Sequence, residues 1–143
     1  MALPITVLSH GIWDAFHFGH LLHLQQARTF GDVLIVTLTV DRHVFKTNRP
    51  VFKQHQRVAM LRALAIVDEV RVFDDPGPEA PIRFYKPQIY VKGMEHIGKL
   101  KEQTLLESFG GKVRFTFDPG APRSRTMKLL RHFANASKAT QES

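Results

Sequence analysis

Two histidines three positions apart, His17 and His20, have the residue type and spacing to act on a phosphate group. Imidazole N–H groups can stabilise the charge that develops on a phosphate under attack and on a departing pyrophosphate. Gly19 lies between them and has no side chain to keep a phosphate from the backbone. Two other interpretations stay open: the pair only solvates a turn, or it forms a metal site with the nearby His10 and His23.

The segment around these histidines is predicted to pass from a strand into a helix. Residues 5–9 form a short β-rich run, and residues 19–30 carry apolar side chains at helical spacing. The N-terminus of a helix offers unpaired N–H groups and a dipole that favours an anion. We therefore expect this turn to hold a phosphate.

The rest of the chain alternates between the two kinds of element. Strands are predicted at residues 33–40, 69–73, 88–91 and 112–117, with helices at 54–67, before Tyr85, at 99–109 and at 124–133. This order predicts an α/β fold: a single Rossmann-like domain over residues 1–134, with a parallel five-stranded sheet flanked by helices, and a polar tail over residues 135–143. Ligands of such sheets bind at the C-terminal ends of the strands, which here precede residues 14–20, 41–49, 92–96 and 123–126.

Composition restricts the classes of function. The 143 residues carry a net charge of +7 and include no cysteine, which excludes disulfides, thiolate zinc sites and thiol nucleophiles. The basic residues are spread along the chain, so we expect a small polyanionic substrate, and a basic nucleic-acid-binding module is the non-enzyme alternative. No stretch is long and apolar enough to span a membrane, and we expect a cytoplasmic protein.

The histidine pair also belongs to a longer motif. Gly11-Ile-Trp-Asp14 followed by His17-Phe-Gly-His20 resembles the signature of the cytidylyltransferase-like nucleotidyltransferases, which is H-x-G-H after a Gly-x-Phe-Asp-like strand end. The resemblance covers residues 5–133, and its further matches are Gly31-Asp-Val-Leu-Ile-Val36, Asp41, Lys46, Arg49-Pro50, Gln56-Arg57, Val67-Asp68, Lys86-Pro87 and Val91-Lys92-Gly93-Met-Glu95. The chain is most similar to the sugar-phosphate branch, which includes heptose-1-phosphate adenylyltransferases and glycerol-3-phosphate cytidylyltransferases.

This resemblance implies an activity and its partners. The expected reaction transfers a nucleotidyl group from ATP or CTP to a sugar or alditol phosphate and releases pyrophosphate, with Mg²⁺ as cofactor. A phospholipid head-group, flavin or pantetheine phosphate is the alternative acceptor. The resemblance also implies a homodimer, and we do not expect nucleic acid as a partner.

It further implies roles for individual residues. The catalytic set is His17, His20 and Lys46, and the acceptor-binding set is Asp41, Arg49 and Arg57. The nucleotide-binding set is Gly11, Ile12, Trp13, Asp14, Gly19, Lys92, Gly93, Glu95, Ser124, Arg125 and Thr126, with Asp14 also helping to place the metal ion. Arg125 departs from the family, which has Ser or Thr there. Without the resemblance, Lys46 and Arg57 are interpreted as surface residues and Ser124 as a helix N-cap.

Overall fold

A computed structural model of the chain describes residues 2–45, 48–118, 132–136 and 138. Within them, five strands form one sheet in the order β3-β2-β1-β4-β5, and every neighbouring pair is parallel. The strands are β1 (Thr6–Gly11), β2 (Val33–Thr39), β3 (Glu69–Phe73), β4 (Ile89–Gly93) and β5 (Lys112–Thr116). The predicted α/β fold with a parallel five-stranded sheet is confirmed.

Helices connect the strands and cover both faces of the sheet. They are α1 (Phe18–Arg28), α2 (Gln54–Arg62), α3 (Glu79–Tyr85) and α4 (Gln103–Ser108), with 3₁₀ turns at Asp41–His43 and Met94–His96. Leu24 of α1 and Leu61 of α2 share one core cluster with Val7 of β1. Ile82 of α3 and Leu106 of α4 pack in a second cluster. The sheet therefore lies between two helical layers.

Strand β2 is buried on both faces because its sequence is a nearly continuous apolar run. Val7 and Leu8 are adjacent in β1 but belong to the opposite clusters, as the alternation of side chains along a strand requires. The connections reverse direction between β1 and β4, so the topological switch point lies beside the C-terminal end of β1. The histidine turn follows that end directly.

Three predicted helix boundaries were wrong by three residues or more. α2 ends at Arg62 and not at residue 67, because Leu64 N–H bonds to Leu61 O in a tighter turn. α4 begins at Gln103 and not at residue 99, because the preceding segment forms tighter turns, in which Lys99 N–H bonds to His96 O and Gln103 N–H bonds to Leu100 O. The last helix was predicted to end at residue 133, whereas residues 132–136 are all helical. Among the described residues, no helix has the length and apolar character needed to cross a membrane.

Candidate active site

The turn between β1 and α1 has an unusual backbone. Trp13 and Ala15, on either side of Asp14, have φ values of 57° and 48°. Residues with side chains rarely adopt this left-handed region, and the cost is of order 1–3 kcal/mol each unless the surroundings impose it. Strain of this kind is typical of sites that must hold a fixed shape.

Contacts to Asp14 impose that shape. Its carboxylate accepts hydrogen bonds from Arg49 Nε at 2.6 Å, Val51 N at 2.8 Å and Phe52 N at 2.9 Å. The side chains of Asp14 and Arg49 are 0% and 5% exposed. Burial alone would raise the pKa of Asp14, but the two backbone N–H groups and the guanidinium outweigh it and hold the pKa below its usual value. Asp14 therefore ties the histidine turn to the loop before α2.

His17 and His20 cap the N-terminus of α1 reciprocally. His17 is the N-cap, and its Nδ1 accepts a hydrogen bond from Gly19 N at 3.0 Å. In return, His17 N donates to His20 Nδ1 at 3.2 Å. The two rings stack with their centroids 3.9 Å apart. The Gly19 N–H is thus used by His17 within the turn.

The capping bonds decide which ring nitrogen carries the proton. Because each Nδ1 accepts a hydrogen bond, a neutral ring must hold its proton on Nε2. Burial and the neighbouring His17, His23 and Arg49 lower the pKa of His20 to about 3, against the opposing effect of Asp14. At neutral pH His20 is therefore an uncharged donor through Nε2.

Aromatic side chains fix the orientation of the His20 ring. The Phe16 ring stacks on it at 5.2 Å, and the Trp13 ring meets it edge-on at 5.6 Å. Trp13 is itself anchored, since its Nε1 donates to Thr37 O at 3.0 Å and its indole covers Gly11. The imidazole is thus held by packing as well as by its capping bond.

Arg57 has a different position from the one predicted. Its side chain is 0% exposed and donates to Phe52 O, Ile12 O, Thr39 O and Asp41 Oδ1 at 3.1, 2.8, 3.1 and 2.7 Å. Asp41 also accepts from Gln54 N at 3.2 Å, at the start of α2. The structure therefore corrects the expectation that Arg57 meets substrate phosphate: the guanidinium is used in joining β1, β2 and the loop before α2.

Lys92 lies at the switch point. It is half-buried on β4, with Nζ 3.4 Å from His10 O of β1 and 5.8 Å from the centroid of the Tyr90 ring. Burial lowers its pKa, against the raising effect of Glu102 and Glu95. Glu95 is exposed in the 3₁₀ turn after β4, and its carboxylate folds over Gly93, where an added Cβ would lie 2.4 Å from Oε2.

Four predicted site residues lie outside the described part of the chain: Lys46, Ser124, Arg125 and Thr126. The described ones fall into two groups at the C-terminal edge of the sheet. The first surrounds the histidine turn and contains Gly11, Ile12, Trp13, Asp14, His17, Gly19, His20, Asp41, Arg49 and Arg57. The second contains Lys92, Gly93 and Glu95 and is joined to β1 through His10.

Sequence reasoning considered His10 and His23 only as candidate metal ligands and gave no role in the site to Ser9, Thr37 and Thr116. His10 Nδ1 lies 2.9 Å from Thr37 Oγ1, and His23 lies between Ser9 and Thr116. Burial, with a further contribution from Lys92, lowers the pKa of His10 to about 3. The available signal was a polar residue near the C-terminal end of a strand, which Ser9, Thr37 and Thr116 all are.

An apolar cavity of about 420 Å³ adjoins the histidine turn. Its walls come from the turn, the loop before α2, α2 itself and the last helical segment, and are formed by Trp13, Ala15, Phe16, Val51, Phe52, Gln56, Arg57, Met60 and Phe133. This volume falls within the range of small-molecule sites. The cavity gives space for an organic group beside Trp13 and Phe16, the two aromatic residues that pack on the His20 ring.

The described residues do not form a metal cage. Across residues 2–45, 48–118, 132–136 and 138, no three His, Cys, Asp or Glu side chains are grouped so that they could hold an ion. The carboxylate of Asp14, predicted to help place Mg²⁺, already accepts three hydrogen bonds within the protein. A metal ligand role does not fit Asp14 in this arrangement.

Comparison with known sequences relates the whole site to one family. The family model described as cytidylyltransferase-like matches residues 8–128. The chain is 40% identical over 116 residues to the bifunctional protein HldE of Campylobacter fetus, covering 74% of this chain and 25% of that protein. It is 35% identical over 130 residues to HldE of Geotalea uraniireducens, covering 87% and 26%. The chain thus spans about a quarter of the length of these curated relatives.

Two solved structures share the fold of this chain. The lipopolysaccharide core biosynthesis protein from Thermoplasma volcanium superposes with a TM-score of 0.66 at 26% identity, over 80% of this chain and 99% of that one. Pantothenate synthetase from Thermus thermophilus superposes with a TM-score of 0.51 over 80% of this chain and 55% of that one. At 13% identity, the second likeness concerns the fold alone.

Proposed function

The chain belongs to the cytidylyltransferase-like family, and from that premise we propose that it transfers a nucleotidyl group from ATP or CTP to a sugar or alditol phosphate and releases pyrophosphate. The observation that carries the proposal is the reciprocal capping of His17 and His20. It leaves the proton of each neutral ring on Nε2, at the C-terminal edge of a parallel sheet, where such folds bind nucleotides. A sugar phosphate comes first among acceptors because a structural relative is named for lipopolysaccharide core biosynthesis.

The proposed chemistry suits these residues. An oxygen of the acceptor phosphate attacks the α-phosphorus, a new P–O bond forms, and the bond to the β-phosphate oxygen breaks, its electron pair leaving with pyrophosphate. The acceptor is already anionic at neutral pH, so no general base is needed. Neutral imidazoles contribute fixed hydrogen-bond donors to the oxygens on which charge develops. Lys46 and the residues Ser124 to Thr126 enter the proposal through the family motif.

We propose that Mg²⁺ binds together with the nucleotide, through its phosphates. Mg²⁺ keeps several waters and often binds substrate phosphates together with only one or two protein carboxylates. That mode is compatible with a site whose buried carboxylate, Asp14, is already occupied by Arg49, Val51 and Phe52. Titration with EDTA should abolish pyrophosphate release, and added Mg²⁺ should restore it.

The decisive experiment measures pyrophosphate release with ATP and with CTP against a panel of acceptors. Heptose-1-phosphate and glycerol-3-phosphate represent the proposed class. The expected result is turnover with one nucleotide and one of these acceptors, and its loss when His20 is replaced by Ala. A folded wild-type protein that releases no pyrophosphate with any pair would contradict the proposal.

A second acceptor class is favoured by one observation. The cavity beside the histidine turn is lined by Trp13, Phe16, Phe52 and Met60, and such walls suit an apolar or aromatic group better than a polyol. Flavin and pantetheine phosphates, and phospholipid head-group phosphates, therefore belong in the panel. Turnover with one of them alone would keep the reaction and change the acceptor.

The family resemblance also leads us to propose a homodimer. Sedimentation of the purified protein over a range of concentrations tests this directly. A single species of 16.3 kDa at all concentrations would exclude it.

A further inference from the structure

His23 has a position that the family motif does not explain. It follows His20 by three residues on α1, so the two side chains lie on one face of the helix about one turn apart. Its Nε2 lies 2.8 Å from Ser9 Oγ of β1, and its Nδ1 lies 2.6 Å from Thr116 Oγ1 of β5. Both ring nitrogens are thus engaged by hydroxyl groups of the sheet.

The two hydroxyls belong to strands that are not neighbours. β4 lies between β1 and β5 in the sheet, so the single imidazole of His23 bridges across one strand. The Trp13 ring packs against His23 at 5.9 Å and against His20 at 5.6 Å. The second turn of α1 is therefore tied to the sheet through His23, and the His20 ring one turn earlier packs against the same tryptophan.

From this geometry we propose that His23 is a positioning residue, which holds the first turn of α1 so that His17 and His20 keep their reciprocal hydrogen bonds and aim their Nε2–H groups at the substrate phosphates. Its role in catalysis rests on the proposed nucleotidyl transfer. Its role in holding the two imidazoles does not. The two roles can be tested separately in the same set of variants.

The chain offers a matched control. Gln26, one turn further along α1, also joins this helix to the end of β5: its Nε2 donates to Phe117 O at 2.7 Å, and its Oε1 accepts from Phe117 N at 2.9 Å. Gln26→Leu also removes two side-chain hydrogen bonds of α1, both to the residue after β5, but away from the histidine turn. If His23 only tethers α1 to the sheet, His23→Leu and Gln26→Leu should lower kcat equally.

The first measurement is kinetic. His23→Leu should lower kcat for pyrophosphate release by about 10- to 100-fold, the effect of a small misplacement of catalytic groups, with little change in KM. Gln26→Leu should lower it much less. His23→Asn, which keeps a polar atom near the place of Nδ1, and His23→Gln, which keeps one near that of Nε2, should each restore part of the loss. Equal kcat values for His23→Leu and Gln26→Leu would overturn the proposal.

The second measurement needs no turnover. Long-range ¹H–¹⁵N spectra of histidine-labelled protein report the tautomer of each ring. We expect the Nε2–H form for His17 and His20 in the wild type and in Gln26→Leu, and shifts towards tautomer averaging in His23→Leu. Unchanged spectra in His23→Leu would overturn the positioning role.

The design separates the two hypotheses. A wild type without pyrophosphate release would refute the proposed function, and the spectra would still decide the role of His23. Should His23→Leu fail to fold, Ser9→Ala and Thr116→Val each remove one of its two partners. Each should then give a smaller shift of the same kind, and the absence of a shift in both would overturn the proposal.

Discussion

The two ring nitrogens of His17 have different hydrogen-bonding roles. Nδ1 accepts from Gly19 N and caps α1, whereas Nε2 carries the proton proposed to reach the substrate. A substitution that keeps the first function and removes the second therefore separates stability from catalysis. Asparagine fits this purpose because its side-chain oxygen caps helices well.

We expect His17→Asn to keep the free energy of unfolding close to that of the wild type, and His17→Ala to lower it by about 1 kcal/mol through loss of the cap. Both should lower kcat by roughly 10²- to 10³-fold, the cost of removing one donor to a developing charge. Urea unfolding and pyrophosphate release measure the two quantities. An active His17→Asn variant would show that capping alone is the function of this histidine.

At the scale of elements, two buried charged side chains hold the loop before α2 against the end of β1. The carboxylate of Asp14 accepts hydrogen bonds from Arg49, Val51 and Phe52 of this loop. The guanidinium of Arg57, on α2, donates a hydrogen bond to Ile12 O. Each contact joins segments distant in sequence. The shape of the histidine turn thus depends on α2 being in place.

The variant Arg57→Lys tests whether Arg57 supports the fold, as its position in the structure indicates, or binds the acceptor, as expected from sequence. A lysine cannot reproduce the planar fork, so some of the four acceptors lose their donor, and we expect the free energy of unfolding to fall by about 2–3 kcal/mol. Arg62→Lys on the exposed side of the same helix should change it by less than about 0.5 kcal/mol. Urea unfolding makes the comparison. If Arg57→Lys instead raised the KM for the acceptor and left the free energy of unfolding unchanged, the result would support the predicted contact between Arg57 and the acceptor.

Asp14→Asn tests the buried pair itself. The amide cannot accept from all three donors, and it leaves the guanidinium of Arg49 facing a neutral group, so we expect a loss of about 3–5 kcal/mol. Pyrophosphate release should fall too, since the strained turn at Trp13 and Ala15 loses its restraint. Asp74→Asn is the control: its pair with Arg42 is more than half exposed on both sides and should contribute at most about 1 kcal/mol. Equal losses in the two variants would contradict this account.

The elements were predictable where the sequence pattern is local. The apolar, β-branched run of β2 and the alternation of β3 gave the strands, and their order with the helices gave the fold. Helix ends were less predictable, since the turn that ends α2 depends on how the chain enters β3. Arg57 was misplaced for a similar reason: its acceptors come from three separate parts of the chain, which sequence spacing does not bring together.

The histidine motif was predictable as a motif but not as a geometry. Its position between a strand and a helix follows from the pattern of residues 5–30. The turn that precedes His17 has positive φ angles at Trp13 and Ala15, which a sequence pattern does not favour for these residue types. His23 gave only a weak signal because its partners, Ser9 and Thr116, are distant in sequence.

At the scale of the whole molecule, the C-terminal edge of the sheet gathers histidines that stay uncharged. Burial, together with nearby cationic groups, lowers the pKa of His10 and His20 to about 3 and that of His23 to about 4. With a net charge of +7, the protein has a positive field that suits anionic substrates without adding protons at this edge. The same arrangement makes the fold sensitive to acid.

We expect the free energy of unfolding to fall steadily as the pH drops from about 6.5 towards 4. An unfolded histidine takes up a proton near pH 6.5, whereas folded His10 and His20 do so only at about pH 3. The unfolded state therefore binds more protons in this window, and the stability present above it is lost on acidification. For the buried His10, the free energy of unfolding at pH 5 should be about 2 kcal/mol lower than its value well above pH 6.5. Urea unfolding at a series of pH values measures the slope. His10→Asn should make stability less dependent on pH, while replacing the exposed His55 of α2 by Asn should leave this dependence unchanged. Equal slopes in the wild type and both variants would show that His10 does not govern the acid response.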